Sequence, residues 1–274
     1  MCLDLFCLKP SRRLALGAAA GAAVSAIVGR GNAAPLPRGM NFNFTREGDT
    51  IFGYRVAPIG RRARATAVVL HGNADIPDDV KATADWLASL GFVALAVNST
   101  SREPDPTKIP RSVLMGRGYG DRYIADTRAG LASLGPTAPK GPIAVVGYCG
   151  GGYTGLLWGA EQLKQEIGAL VAIHTPLHNR DPDGTILTGR PQGIDLYRSM
   201  EAPTQWHFGG SDGYTPAKDI AELRALKKGR QHAAQIHIYA GGQHGFAMST
   251  HDTYIPKAAE LIRMRAERFL AAHF

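Results

Sequence analysis

Residues 143–152 read IAVVGYCGGG, and this stretch decides how the rest of the chain is interpreted. The continuous apolar run at 143–147 predicts a buried strand, and residues 151–159 predict a helix directly after it. A side chain at a sharp strand-to-helix turn needs small residues on both sides, because its backbone is held in a strained conformation. Gly147 and Gly151 have these positions around Cys149. The stretch therefore predicts a nucleophile elbow of the G-x-S-x-G type, with cysteine in place of serine.

A buried structural cysteine in a glycine-rich turn is the alternative, since single cysteines are commonly core residues. Two later residues favour catalysis. Asp212 follows an apolar strand at 204–208, and His244 follows another at 235–239. In α/β-hydrolases the catalytic triad comes in the order nucleophile, acid, histidine, with each residue on a loop at the carboxyl end of a strand. We therefore predict that Cys149 is the nucleophile, that His244 transfers protons and that Asp212 orients the imidazole.

A tetrahedral intermediate needs two hydrogen-bond donors for its oxyanion. The backbone N–H of Gly150, directly after the nucleophile, is one candidate. The backbone N–H of Asn73, in the loop after the apolar strand at 65–71, is the second. We expect the side chain of His71 to brace this loop by hydrogen bonding.

The remaining pattern alternates strands and helices, which indicates an α/β protein with a mostly parallel central sheet covered by helices on both faces, as in the α/β-hydrolase fold. A β-hairpin is predicted at 41–46 and 50–56. Further strands are predicted at 65–71, 92–97, 143–147, 169–174, 204–208 and 235–239. Helices are predicted at 77–90, 119–134, 151–159, 215–227 and 255–272. Residues 99–118 are irregular and polar, and we expect them to form part of the substrate entrance. All of this fits one domain over residues 35–274.

Residues 1–34 predict an export signal. Arg12 and Arg13 follow a serine and precede a weakly apolar run at 14–28, and small residues follow at 31–34. This arrangement resembles a twin-arginine signal peptide, and cleavage is expected after Ala33 or Ala34. A membrane anchor is the alternative, but the run is shorter than the roughly 20 residues of a spanning helix. We therefore expect an exported protein, periplasmic or secreted. The double variant Arg12→Lys/Arg13→Lys should leave the uncleaved precursor in the cytoplasm. Cys2 and Cys7 lie in this segment, so the mature chain would keep only Cys149.

The formal net charge of +8 raises the possibility of nucleic-acid binding. A net three of these charges lie in residues 1–34, and the others form no basic stripe interleaved with aromatics, so no nucleic-acid partner is predicted. His174 and His178 have a spacing that could bind a metal on a helix, but Thr175-Pro176 interrupts any helix there. No cofactor or metal is predicted.

At the elbow and at His244-Gly245-Phe246, the sequence resembles the dienelactone hydrolase (carboxymethylenebutenolidase) family. The resemblance extends from about residue 65 to the C-terminus, with Asp212 in the place of the family's acid. It implies a cofactor-free hydrolase that opens an unsaturated lactone or cleaves a related small-molecule ester.

Two departures from the family pattern limit what the resemblance implies. Gly72 stands where members usually carry a glutamate that contacts the resting cysteine. Met248 stands where members often carry an arginine that grips a substrate carboxylate, and Arg102, Arg111 or Arg117 are possible substitutes.

Two other functions are compatible with these residues. The same triad could perform acyl transfer or thioester cleavage, and the fold could belong to a non-catalytic binding protein. The intact Cys149, Asp212 and His244 argue against the second of these.

Overall fold

The central strands of the fold are buried along their whole length, as at Ala65–Leu70, Phe92–Val97 and Ile143–Tyr148. Successive side chains of a strand point to opposite faces of the sheet, so each strand supplies two hydrophobic cores. Val68 and Leu70 belong to one core, whereas Ala67 and Val69 belong to the other. The uniformly apolar sequences follow from this two-sided burial.

The structure is a computed structural model that describes residues 37–72, 76–114, 116–161, 166–180, 183–228 and 234–274. The export segment predicted at 1–34 and the oxyanion residue Asn73 lie outside these ranges. No helix within them is both long and apolar enough to cross a membrane.

In the described part of the chain, eight strands form one sheet in the order β1-β2-β4-β3-β5-β6-β7-β8. They are β1 (Met40–Arg46), β2 (Asp49–Val56), β3 (Ala65–Leu70), β4 (Phe92–Val97), β5 (Ile143–Tyr148), β6 (Ile167–Ile173), β7 (Thr204–Gly209) and β8 (Ala234–Tyr239). The hairpin β1–β2 is antiparallel, and β2 also pairs antiparallel with β4. All other neighbouring strands pair in parallel, which confirms the predicted sheet. The carboxyl ends of β5, β7 and β8 therefore meet at one edge of the sheet.

Helices cover both faces of this sheet, as predicted. The helices are α1 (Asp78–Ser89), α2 (Arg111–Leu114), α3 (Arg117–Ser133), α4 (Gly150–Ala160), α5 (Gly193–Ser199), α6 (Ala217–Lys227) and α7 (Pro256–Ala271). Core residues of α1 and α7 pack on one face, and those of α3, α4, α5 and α6 pack on the other.

Each predicted strand and helix begins and ends within two residues of the observed one. Two features differ. The segment 99–118 is not wholly irregular, since it contains a 3-10 turn at Pro106–Lys108, α2 and the first residues of α3. Helix α5 has no counterpart in the prediction, because seven residues are too short for a clear helical period and its position depends on packing against α4.

Candidate active site

The strand-to-helix turn after β5 holds Cys149 in a conformation that L-residues rarely adopt, with φ 51°. The turn is possible only because its neighbours lack side chains. A Cβ on Gly151 would lie 2.1 Å from the carbonyl oxygen of Leu70, and one on Gly147 would lie 2.5 Å from the Cα of Gly152. Backbone strain of this kind concentrates at functional sites. The predicted elbow is present, and Cys149 stands at the N-terminus of α4.

The three residues of the predicted triad lie together at the carboxyl edge of the sheet. His244 Nε2 is 3.0 Å from Cys149 Sγ, and His244 Nδ1 is 3.0 Å from Asp212 Oδ2. The second carboxylate oxygen of Asp212 accepts a hydrogen bond of 2.9 Å from the backbone N–H of Tyr214. The side chain of Asp212 is fully buried, whereas that of His244 is 19% exposed. The imidazole therefore bridges a buried carboxylate and the buried thiol of Cys149, which is the geometry of a nucleophile, base and orienting acid.

The charges around His244 favour its protonated form. Burial alone would lower the pKa of the imidazole, but the adjacent Cys149 sulfur and the Asp212 carboxylate outweigh burial and raise the pKa to about 10. The N-terminus of α4 adds a positive potential at the sulfur, which stabilises a thiolate. The arrangement can therefore hold an imidazolium–thiolate pair at neutral pH. Whether the proton lies on sulfur or on nitrogen, Cys149, His244 and Asp212 together carry one net negative charge.

Two aromatic rings flank the imidazole of His244, and no sequence pattern indicated either contact. The ring centroids of His174 and Tyr214 each lie 4.8 Å from that of His244, in edge-to-face geometry. His174 directly follows β6 and is almost fully buried. Burial, and then the neighbouring His244 and His251, hold the pKa of His174 well below its usual value, so it stays neutral. His174 thus packs against the triad. Among the described residues, no group of histidine, cysteine and acidic side chains is arranged to hold a metal.

The loop that carries His244 is held by an aspartate from a distant part of the chain. Asp79, in the first turn of α1, accepts four hydrogen bonds of 2.8–3.1 Å from the backbone and hydroxyl groups of Ser249 and Thr250. Burial alone would raise the pKa of Asp79, but these hydrogen bonds outweigh it and lower the pKa. Within the loop, the Thr253 hydroxyl donates to the carbonyl oxygen of His244 over 2.7 Å. The position of the imidazole therefore depends on a polar contact that spans 170 residues.

The structure describes part of the predicted oxyanion site. Gly150 is the first residue of α4, where backbone N–H groups have no carbonyl partner within the helix. His71 braces its loop as predicted, because its Nε2 accepts a hydrogen bond of 3.1 Å from the backbone N–H of Ser99. A Cβ on Gly72 would lie 3.4 Å from the Cβ of Cys149. A side chain at position 72 would therefore contact Cys149.

The arginines considered as substrate ligands are engaged elsewhere or not described. Arg102 is bound to Asp49 and Asp126, so its guanidinium is not available to a substrate carboxylate. Arg117 pairs with Asp121 at 3.4 Å on an exposed surface, and the side chain of Arg111 lies outside the described part of the chain. Met248 is buried in the hydrophobic core beside α7.

A cleft of about 300 Å³ opens beside His244. Its lining residues are Arg180, Gly184, Ser211, Gly213, Tyr214, Gln243 and His244. Arg180 was not singled out from the sequence. One guanidinium nitrogen donates to both carboxylate oxygens of Asp219, at 2.8 and 2.7 Å, and a second donates to the carbonyl oxygen of Gly184. The side chains of this ion pair are 7% and 3% exposed.

The sheet has the strand order β1-β2-β4-β3-β5-β6-β7-β8, and Cys149 lies at positive φ on the turn after β5. Together these features define an α/β-hydrolase fold. Residues 53–274 match the dienelactone hydrolase family, and the chain belongs to that family.

Curated relatives are distant in sequence. The chain is 24% identical over 221 residues to the "Probable 2-oxo-3-(5-oxofuran-2-ylidene)propanoate lactonase" of Bradyrhizobium sp, covering 78% of this chain and 86% of that protein. It is 23% identical over 202 residues to the carboxymethylenebutenolidase of Pseudomonas putida, covering 70% and 79% of the two chains. The solved dienelactone hydrolase of Anabaena variabilis superposes with a TM-score of 0.64 at 18% identity, covering 88% of this chain and all of that one. The family supports an ester or lactone hydrolase, and the structural likeness confirms the fold.

Proposed function

We propose that this protein cleaves a carboxylic ester or lactone through an acyl-enzyme on Cys149. The observation that carries the proposal is the contact of 3.0 Å between His244 Nε2 and Cys149 Sγ, with Asp212 on the opposite imidazole nitrogen. The curated relatives are named as lactone-opening enzymes, which supports this class of reaction.

The reaction would start from the ion pair. The thiolate of Cys149 attacks the carbonyl carbon, a C–S bond forms, and the carbonyl electrons move to oxygen, where the N–H of Gly150 stabilises the charge. When the intermediate collapses, the C–O bond breaks and His244 gives its proton to the leaving alkoxide. The thioester remains on Cys149.

Water completes the cycle. His244, now neutral, takes a proton from water as the oxygen attacks the thioester carbonyl, and breakage of the C–S bond returns the thiolate. The acid product leaves, and the imidazolium–thiolate pair is restored. Asp212 stays ionised throughout and keeps the imidazole in the required tautomer.

The proposal is tested with the purified mature protein and a panel of short esters, lactones and thioesters. Cys149→Ala and His244→Ala should each lower kcat by a factor on the order of 10³ or more while the folded state persists. Mass spectrometry of protein quenched during turnover should find the acyl group on Cys149. Turnover by Cys149→Ala at a rate near that of the wild type would disprove the cysteine mechanism.

The same assay separates the alternative reactions. An added alcohol acceptor that captures most of the acyl group would identify an acyltransferase, and a preference for thioesters would identify a thioesterase. A failure to cleave any compound of the panel would favour the non-catalytic alternative.

A further inference from the structure

The position of the cleft beside His244 indicates which part of a substrate the cleft would hold. His244 gives its proton to the leaving alkoxide, so the leaving group must lie within hydrogen-bonding distance of Nε2. His244, Tyr214 and Arg180 all line the cleft. The cleft is therefore placed to receive the leaving group of an ester, or the corresponding part of a lactone.

Arg180 is the one arginine or lysine among the described residues that line this cleft, and its charge is neutralised. Both carboxylate oxygens of Asp219 accept hydrogen bonds from one nitrogen of Arg180, and the pair is buried. Ser211, Tyr214 and Gln243 add polar groups without charge. Arg180 and Asp219 together therefore contribute no net charge to the cleft.

The triad leaves this side of the site negative. Cys149, His244 and Asp212 sum to one negative charge in either proton arrangement, and the Arg180–Asp219 pair does not change that sum. Two like charges within about 8 Å repel appreciably in the reduced dielectric of a protein surface. An anionic leaving group would meet this repulsion and would find no uncompensated cation among the described lining residues.

We propose that the enzyme selects substrates whose leaving group is uncharged, because the buried Arg180–Asp219 pair cancels the positive charge in the cleft beside His244. This inference rests on the proposed function. The names of the curated relatives, by contrast, include a propanoate and a carboxymethylene group. Asp219 acts here as a specificity-determining residue through Arg180.

Two acetate esters of nearly equal size test the inference. Methyl 4-acetoxybenzoate has a neutral alcohol part, and 4-acetoxybenzoate carries a remote carboxylate on the same ring. Each enzymatic rate is divided by the rate of hydroxide-catalysed hydrolysis of the same ester, which removes the difference in intrinsic reactivity. The wild type should favour the neutral ester in kcat/KM by about tenfold, and high salt should narrow this gap.

A charge variant assigns the preference to the ion pair. Asp219→Asn leaves the charge of Arg180 uncompensated, so the preference for the neutral ester should fall several-fold or reverse. The double variant Arg180→Gln/Asp219→Asn restores neutrality and should restore the wild-type preference. Asp195→Asn removes a carboxylate from an exposed ion pair with Arg198 and is the matched control. If Asp219→Asn does not fold, the ester pair on the wild type still decides the inference.

The outcomes separate the two proposals. Equal or faster cleavage of the anionic ester by the wild type would overturn the inference while leaving the cysteine mechanism intact. An unchanged preference in folded Asp219→Asn would also overturn it. If the wild type cleaves neither these esters nor any compound of the panel above, the proposed function is wrong, and this inference fails with it.

Discussion

Two loops lie at the same edge of the sheet, but different forces hold them. The nucleophile loop is the turn at residues 147–152, named for the role proposed for Cys149, and the histidine loop is the segment 240–255 between β8 and α7. Cys149 is fixed by close backbone packing, because a Cβ on Gly147 would meet Gly152 and one on Gly151 would meet Leu70 at the end of β3. His244 sits in a loop whose position depends on Asp79, 170 residues from Ser249 in the chain. A side chain added to the closely packed turn must force the backbone apart, whereas a loop held by several hydrogen bonds can lose its support one bond at a time. The two loops should therefore respond differently to substitution.

The largest effect is expected at the nucleophile loop. Gly151→Ala would place a Cβ 2.1 Å from the carbonyl oxygen of Leu70, so the turn must open. We expect activity to be nearly lost and the free energy of unfolding to fall by about 3 kcal/mol. Gly118→Ala is the control, since its Cβ would meet no atom within 4 Å. Urea unfolding and kcat/KM measure both effects, and an active, stable Gly151→Ala protein would contradict the steric account.

The next effect concerns the acid of the triad. Asp212→Asn replaces the carboxylate at His244 Nδ1 with an amide, which favours the wrong tautomer and removes the charge that stabilises the imidazolium. We expect kcat to fall on the order of 10²–10³-fold, less than in Cys149→Ala. Asp252→Asn, an exposed change in the histidine loop, should leave kcat unchanged. If the Asp212→Asn variant had the kcat of the wild type, Asp212 would not orient the imidazole of His244.

A smaller, graded effect is expected at the support of the histidine loop. Asp79→Ala removes the acceptor of four hydrogen bonds and lets the imidazole shift away from Cys149. We expect kcat to fall by about tenfold with little change in KM, since displacements near 1 Å already slow catalysis. Asp78→Ala is a close control, because its side chain is 93% exposed and its one ion pair, with Lys81, is 3.9 Å long. Equal kcat values for the two variants would show that the contact has no role in positioning.

The hydrogen bonds of Asp79 should also make the free energy of unfolding depend on pH in the acidic range. The pKa of Asp79 is lower in the folded protein, so its stabilising contribution is complete above the ordinary aspartate pKa and is lost as the pH falls through the lowered value. The wild type should therefore lose more unfolding free energy than Asp79→Ala over that acidic interval. Parallel stability curves for the two proteins would contradict this linkage.

The smallest effect concerns the rate at which the Cys149 thiol is alkylated, which should hardly change with pH. The pKa of His244 is raised to about 10, so the imidazolium that stabilises the thiolate persists through neutral pH. Alkylation of the resting enzyme by iodoacetamide should be fast and nearly flat across neutral pH, and a competitive inhibitor should protect it. Cys149 is the sole cysteine after residue 7, which makes intact-mass analysis a direct readout. A rate that rises roughly tenfold per pH unit, as for an ordinary thiol, would show that the ion pair is not formed.

The sequence by itself determined the sheet, the elbow and the order of the triad. The continuous apolar runs identify strands buried on both faces, and residues 147–152 predict the strained turn, because both signals lie within a few neighbouring residues. The tertiary structure alone decided what surrounds the triad. His174 and Tyr214 reach the imidazole, Asp79 holds its loop, and Asp219 neutralises Arg180 through contacts between segments far apart in the chain. Such contacts depend on how distant segments pack, and the spacing of residues along a single sequence does not record that packing.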